Sequence, residues 1–287
     1  MVDNVGVVAV LGLGAMGSAV AGRLVSSGVD VISVFEGRSP ASRKRAEAVG
    51  VRAGGWSDLE NADFVLSIVP PSEAASVAAT VANIAASKPG RLFADCNAVS
   101  PQTMQDVARL FTGTRDRVVD AGIIGGPPKD GARTVIYAAG PDAEALSVLG
   151  RHGLDVRVVD GPIGAASALK MSYAGITKGL TALGATMMLA ATRAGAASDL
   201  AAELRASQPQ LLAWLTRSVP GMLPKAYRFD GEMSEIADFI GEPAVGGDIY
   251  DGMAKLYRTI ATDQLRSQNL ISFVEAAQRL LATEAGR

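Results

Sequence analysis

Over its first 160 positions the chain alternates short apolar runs with stretches whose apolar residues recur at helical spacing. Val7, Val8, Val10 and Leu11 make the first run, and Val29 to Phe35 a second. Phe64 to Val69, Leu92 to Asp95, Val118 to Ile124, Thr134 to Ala139 and Val156 to Val159 continue the series. Runs of this length, rich in β-branched residues and separated by amphipathic segments, predict βαβ units and a parallel sheet covered by helices. Ser39-Pro40 and Ser100-Pro101 read as helix cap plus first helical residue. Pro70-Pro71 stops a strand, Ser72 reads as the cap of the next helix, and Pro141 to Gly150 as a short helix.

Beyond Gly161 the strand pattern ends. Ile163 to Arg193 carries Ala, Leu, Met and Lys without a proline, which at a rise of about 1.5 Å per residue predicts a helix on the order of 45 Å long. Gly175, Gly179 and Gly184 each cost such a helix about 1 kcal/mol against alanine, so close packing on this helix is expected. Ser198 to Ala285 reads as four or five shorter helices, broken at Pro209, Pro220, Pro224, Pro243 and Gly246-Gly247. The fold expected is therefore a doubly wound, Rossmann-like α/β domain over residues 1–160. An all-α domain follows over 161–287, joined to it by the long interdomain helix.

Composition narrows the function. Hydrophobic residues are 48%, enough for two cores, and the net charge of −2 has no basic block beyond Arg43-Lys44-Arg45. Nucleic acid is thus a poor partner, and a small-molecule substrate the better one. With one cysteine, Cys96, and one histidine, His152, neither an intramolecular disulfide nor a zinc cluster is expected. Asp3 and the lack of a basic leader argue against a signal peptide. No apolar stretch reaches the roughly 18 residues a bilayer span needs. The reading is a cytoplasmic protein without membrane or metal.

The first strand leads into Gly12-Leu13-Gly14-Ala15-Met16-Gly17, a G-x-G-x-x-G loop opening a helix. In that setting Gly12 makes the turn, Gly14 lets a pyrophosphate approach bare backbone and Gly17 lets helix pack on strand, with the phosphates at the positive end of the helix. Glu36, closing the second strand, fits the acceptor of a ribose 2′-hydroxyl and by itself says NAD. Arg38 and Ser39 follow at once and offer a 2′-phosphate a guanidinium and a hydroxyl. The reading favours NADP and leaves NAD open; Arg43 to Arg45 read equally as a solvated helix face. The crevice at the sheet's carboxyl edge would be lined by Val69-Pro70-Pro71, by Asp95 to Ala98 with Asn97 toward the nicotinamide, and by Asp120 to Gly126. In this last loop Ile124, Gly125 and Gly126 face the substrate. Lys170, about two turns into the long helix amid apolar residues, is the candidate proton donor for a hydride transfer. A lysine snorkelling to solvent at a domain boundary accounts for the same spacing.

Four stretches carry a family resemblance: L-G-L-G-A-M-G, D-C-N-A-V-S-P, D-A-G-I-I-G-G, and G-x-x-G-A-x-x-x-x-K ending at Lys170. Together they resemble the β-hydroxyacid dehydrogenase superfamily, which includes 6-phosphogluconate dehydrogenase, 3-hydroxyisobutyrate dehydrogenase, tartronate semialdehyde reductase and the imine reductases. The motifs span the first 190 residues or so. The remainder resembles a branch whose C-terminal helical domain has no assigned function. The resemblance implies a Rossmann domain, a homodimer interlocked through the helical domains, and Lys170 as general acid and base. Three positions depart from it. Ile124 stands where the family has a carboxylate-binding serine, and Ala174, preceded by Tyr173, where it has a catalytic asparagine. Glu232 to Ile236 (E-M-S-E-I) replaces a K-D-L segment. Each lost partner of a substrate carboxylate is worth about 1.5 to 3 kcal/mol, so the substrate expected is bulkier or less anionic than a small β-hydroxyacid. Tyr173 reads either as the hydroxyl partner of Lys170 or as a packed tyrosine. Asp230, Glu232, Glu235 and Asp238 read either as acids that reach the cleft or, the commoner situation for such residues, as an exposed helix face. The activity expected is an NADP-dependent interconversion of a carbonyl and an alcohol by hydride transfer. The alternatives are reduction of a C=N bond on the same scaffold, or a catalytically silent NADP-binding sensor.

Overall fold

The computed structural model describes residues 5–128, 133–241 and 246–282. Residues up to Met171 gather into one compact unit, and those from Ser172 onward into a second.

The first unit is built on eight strands: β1 (Val7–Leu11), β2 (Asp30–Val34), β3 (Arg52–Gly54), β4 (Phe64–Ser67), β5 (Leu92–Asp95), β6 (Arg117–Gly125), β7 (Thr134–Ala139) and β8 (Asp155–Val158). They lie in the order β3-β2-β1-β4-β5-β6-β7-β8. Five helices accompany them: α1 (Ala15–Ser26), α2 (Pro40–Ala48), α3 (Pro71–Ala82), α4 (Pro101–Arg109) and α5 (Ala143–Leu146). Both faces of the sheet are covered. Val8, Val10, Val31 and Leu66 join one core with Leu24 of α1, while Ala9, Leu11, Ile32 and Val65 join another with Val77 of α3. Burial on both faces is why these strands read as continuous apolar runs and not as alternating ones.

Several local expectations need correction. β6 and β7 pair antiparallel, from Asp120↔Ala139 to Gly125↔Thr134, whereas a parallel sheet was expected throughout. The segment between Gly125 and Thr134 is too short for a crossover helix, so the chain turns back on itself; Lys129, Asp130 and Gly131 of that loop lie outside the described residues. β3 has no apolar run to announce it, being a short and largely exposed edge strand. Ser72 does not cap α3, which begins at Pro71 with Pro70 in the cap position. Ser39 and Ser100 do cap, accepting from Ser42 N at 3.2 Å and Thr103 N at 3.1 Å. The segment read as one short helix after Pro141 is α5 followed by a 3-10 turn, Ser147–His152.

The long helix is α6 (Ala165–Arg193). The division between units falls inside it, just past Lys170, and not at the expected 160/161 join. The reason is local: Asp120 of β6 holds the first turn of α6 to the sheet. In the second unit follow α7 (Ala197–Ser207), α8 (Pro209–Met222), α9 (Ala226–Ile240), α10 (Gly246–Thr262) and α11 (Gln264–Ala282). Pro209 opens α8, but Pro220 lies within its last turns without ending it. Gly246-Gly247 start α10 instead of separating helices; Pro243 and Ala285 lie outside the described residues. A methyl group at Gly184 would come within 2.4 Å of Leu215 Cδ2, so α6 and α8 meet there at glycine distance. Among the described residues no helix is long and apolar enough to cross a membrane.

Candidate active site

The strand order reverses between β1 and β4, and the carboxyl end of a parallel sheet at such a reversal is where open α/β folds bind ligands. The residues singled out in the first unit gather at that edge. At the β1–α1 corner Gly12 has φ +92°, and a methyl on it would sit 2.3 Å from the Ile68 carbonyl oxygen. A methyl on Gly17 would sit 1.9 Å from the Gly12 carbonyl oxygen. Gly14 differs: nothing lies within 4 Å of where its methyl would be. It occupies the cap position of α1, where no side chain caps the helix and no acid stands in the first turn. Leu13 is buried beneath the loop, while Gly14 and Ala15 are exposed and Met16 half-buried. Bare backbone, open space and the positive end of a helix fit a dinucleotide's diphosphate.

At the end of β2, Glu36 is exposed and Ser39 caps α2. Arg38 reaches Glu73 in the first turn of α3 at 3.4 Å. Arg43 donates to the Phe35 carbonyl at 3.0 Å, and Arg45 Nε to the Leu13 carbonyl at 3.1 Å. The basic run is thus folded back onto the corner, with Arg45 tying α2 to the glycine loop.

The ends of β4 and β5 and the neighbouring part of β6 carry the polar residues of the site. The Asn97 side-chain amide is bonded within the fold. Asn97 Oδ1 accepts from Val69 N at 2.6 Å, and Nδ2 donates to Ser67 Oγ at 3.0 Å and to Asp95 Oδ2 at 2.9 Å. Asn97 presents its backbone carbonyl to Lys170, whose Nζ donates to it at 3.0 Å. Asp95 is fully buried; burial pushes its pKa up to about 6, against the pull of the Asn97 donors and the Lys170 charge. Asp120, beside it in register on β6, accepts from Gly164 N, Ala166 N and Ser167 N on one oxygen and from Ser167 Oγ on the other. Burial raises its pKa too, and these donors oppose the rise. The Cys96 thiol is pushed up by burial and is no nucleophile.

Lys170 is brought close to β6 because Gly122 has no side chain. A methyl there would meet the Ala166 carbonyl oxygen at 2.9 Å and Lys170 Cβ at 3.2 Å. Further along β6, Ile124 is half-buried, and Gly125 and Gly126 are exposed at the strand's end. Val69 is buried, Pro70 exposed and Pro71 half-buried at the start of α3. Tyr173 falls in the second unit, one turn after Lys170 on α6, and is 51% exposed. Glu232 corrects the expected exposed acidic face: it is buried and ion-paired with Lys178, whose ammonium lies 4.4 Å from the centre of the Phe229 ring.

Residues 7–151 match the profile described as the NAD binding domain of 6-phosphogluconate dehydrogenase. The chain belongs to this family. Residues 191–260 match a domain of unknown function, DUF1932. An uncharacterized 28.5 kDa protein of Methanothermus fervidus is 28% identical over 215 residues, 74% of this chain and 82% of that one. A probable 3-hydroxyisobutyrate dehydrogenase of Mycobacterium tuberculosis is 29% identical over 139 residues, 48% of this chain and 47% of its own. Among solved structures, a conserved protein described as structurally similar to 3-hydroxyacid dehydrogenases superposes with TM-score 0.69 at 29% identity, covering 91% of this chain and 99% of that one. Mycobacterium tuberculosis 3-hydroxyisobutyrate dehydrogenase, solved with L-serine, gives 0.70 at 20% identity, covering 96% and 99%. The 6-phosphogluconate dehydrogenase-like family and these neighbours place the chain among NAD(P)-dependent oxidoreductases related to 3-hydroxyacid dehydrogenases.

Spacing points to the glycine corner, and to Lys170 as one of two readings of that lysine. Asp95 and Asp120 open two of the crevice-lining segments, but spacing does not show that Asp95 holds Asn97 and Asp120 holds the start of α6, nor that Ser67 and Ser167 join them. The available signal was an acid at the end of one buried apolar strand, L-F-A-D, and another inside a second, V-V-D-A-G-I-I.

Proposed function

We propose that this protein is an NADP-dependent oxidoreductase that interconverts a carbonyl and an alcohol, with Lys170 handling the proton on the substrate oxygen. The observation that carries this reading is the Lys170 ammonium, held 3.0 Å from the Asn97 carbonyl beside the corner that fits a dinucleotide. Gly12 to Gly17 would hold the diphosphate, and Arg38 and Ser39 the adenosine phosphate, with Glu36 beside them. Val69 to Pro71 and the Asn97 corner would wall the nicotinamide side. The bound nicotinamide supplies or receives the hydride. Lys170 gives its proton to the oxygen as the carbonyl is reduced and takes one back in the reverse direction. Tyr173, three residues further along α6, is its proposed hydroxyl partner.

Ile124 supports a substrate that brings little negative charge, since an apolar side chain stands at the end of β6 with Gly125 and Gly126. A bulky ketone or its alcohol suits that end better than a small hydroxyacid. For the assembly we propose a homodimer. Tyr173, Ile176, Leu180, Leu183 and Met187 are all exposed on α6, and their alternating spacing of three and four is that of a helix seam awaiting a second helix.

The test is turnover of NADPH and NADH with a panel of ketones, each with and without an added amine. Ketone reduction with NADPH favoured is the expected result, and Lys170→Ala should lower kcat at least about 100-fold while leaving NADPH affinity in place. Turnover only with amine present would move the activity to C=N reduction. Tight NADPH binding without turnover across the panel would replace the enzyme by a sensor.

A further inference from the structure

Two carboxylates lie side by side in register, Asp95 at the end of β5 with 1% exposure and Asp120 within β6 with 0%. Burying a carboxylate costs several kcal/mol unless its oxygens are satisfied. A carboxylate kept in such a place is expected to have a use. Asp95 takes the Asn97 N–H on Oδ1 at 2.9 Å and one Asn97 amide hydrogen on Oδ2 at 2.9 Å. Ser67 Oγ takes the second amide hydrogen, and Val69 N–H donates to the amide oxygen. Asn97 is thereby held from three sides, and the direction of its backbone carbonyl is fixed. Asp120 meanwhile gathers three backbone N–H groups and one hydroxyl from the start of α6. It serves that helix as a cap delivered from a distant strand. Lys170 is one turn beyond Ala166, and Gly122 fixes how near that turn stands to β6.

We propose that Asp95 and Asp120 are positioning residues for Lys170: Asp95 sets the carbonyl that receives the ammonium, and Asp120 sets the helical turn that carries it. The inference rests on Lys170 being the proton-transfer group. Acid catalysis by a positioned amine tolerates little error, since a displacement of about 1 Å can cost 100-fold in rate. Two rigid anchors, one at each end of the side chain, meet that demand. The charge of Lys170 also helps keep Asp95 ionised in a site where burial works against it.

A swap tests the Asp95 half. Asp95→Asn alone turns an amide N–H toward the Asn97 amide N–H, so two donors meet. Asp95→Asn with Asn97→Asp exchanges the two groups and restores every pairing: the new carboxylate accepts from Val69 N, from the Ser67 hydroxyl and from the new amide. Its backbone carbonyl is unchanged. The readout is the acetylation rate of Lys170 by acetic anhydride at one pH, by peptide mass spectrometry, relative to the exposed Lys225 in the same sample. This measures where the amine is held and does not depend on turnover, so it stands even if Lys170→Ala proves active and the catalytic reading falls. Asp95→Asn should raise the Lys170 to Lys225 ratio at least about threefold and lower kcat at least about tenfold, with NADPH affinity kept. The swap should return both toward the parent. Asp120→Asn should raise the ratio as well. Ser67→Ala, a milder loss at the same amide, should give a smaller rise and carries the test if Asp95→Asn does not fold. An unchanged ratio in folded Asp95→Asn or Ser67→Ala, or a folded swap that labels as fast as the single variant, would overturn the Asp95 assignment. An unchanged ratio in folded Asp120→Asn would remove Asp120 from it.

Discussion

Gly14 and Gly17 are chemically identical and are expected to respond in opposite ways to one methyl group. At Gly17 the methyl would stand 1.9 Å from the Gly12 carbonyl oxygen, a backbone atom with nowhere to move. Overpacking of this kind costs about 1 to 3 kcal/mol and sometimes more. Gly17→Ala should therefore lower the melting temperature in the absence of cofactor. At Gly14 the methyl meets nothing within 4 Å, so Gly14→Ala should melt like the parent. It should lose at least about tenfold in NADPH affinity by calorimetry, because the methyl enters the space through which a diphosphate reaches the backbone. Equal melting of the two variants would contradict the corner geometry, and unchanged affinity of Gly14→Ala would contradict the diphosphate site. The corner itself was legible in the sequence because its turn depends on neighbours a few residues apart. The Lys170 anchor was not. Asp95, Asn97, Asp120 and Lys170 meet only through strand register and the return of α6, and that Asn97 spends its amide on Val69 N follows from three-dimensional packing alone.

Among elements, helix starts give the sharpest comparison between sequence and structure. Three serines beside prolines read alike as caps, yet only Ser39 and Ser100 accept a hydrogen bond from the third residue of their helices. Ser72 comes after the helix has begun, because Pro70 and Pro71 already supply the fixed φ that opens it. An N-cap serine is worth about 1 kcal/mol against alanine. Ser39→Ala and Ser100→Ala should each lower unfolding free energy by about that amount in urea, and Ser72→Ala by a few tenths at most. A full cap's loss at Ser72 would show that α3 starts later than described. Strands of the buried sheet were legible for a simple reason: burial on both faces leaves no polar alternation to confuse them. β3 was not, since Arg52 and Ala53 are exposed and nothing apolar marks an edge strand. The antiparallel turn from β6 to β7 was missed because strand direction is set by the length of the connection, and period carries no information about it.

At the scale of the whole molecule, the helical composition after Ala165 was plain, but which face of α6 packs and which stays open was not. The glycines go inward: Gly184 meets Leu215 and Gly175 meets Tyr250. The large side chains Tyr173, Ile176, Leu180, Leu183 and Met187 stay outward, with exposures from 37% to 70%. An apolar row of this kind is costly to leave in water, at about 25 cal/mol for each Å² of apolar surface. It repeats as a helix partner would need, and in the proposed homodimer a second copy would supply the same row, each copy's stripe answering the other's in a closed pair. Stable pairs usually bury about 1,600 Å² in all, so the stripe would form the centre of a wider contact. Leu180→Glu with Leu183→Glu places two like charges per copy at that centre and removes no packing within the helical unit beyond two partly exposed side chains. The parent should sediment as a dimer and the double variant as a monomer at the same concentration, with helix content unchanged by circular dichroism. A parent that sediments as a monomer at tens of micromolar would remove the homodimer. A double variant that remains dimeric with its helices intact would move the contact away from this face of α6.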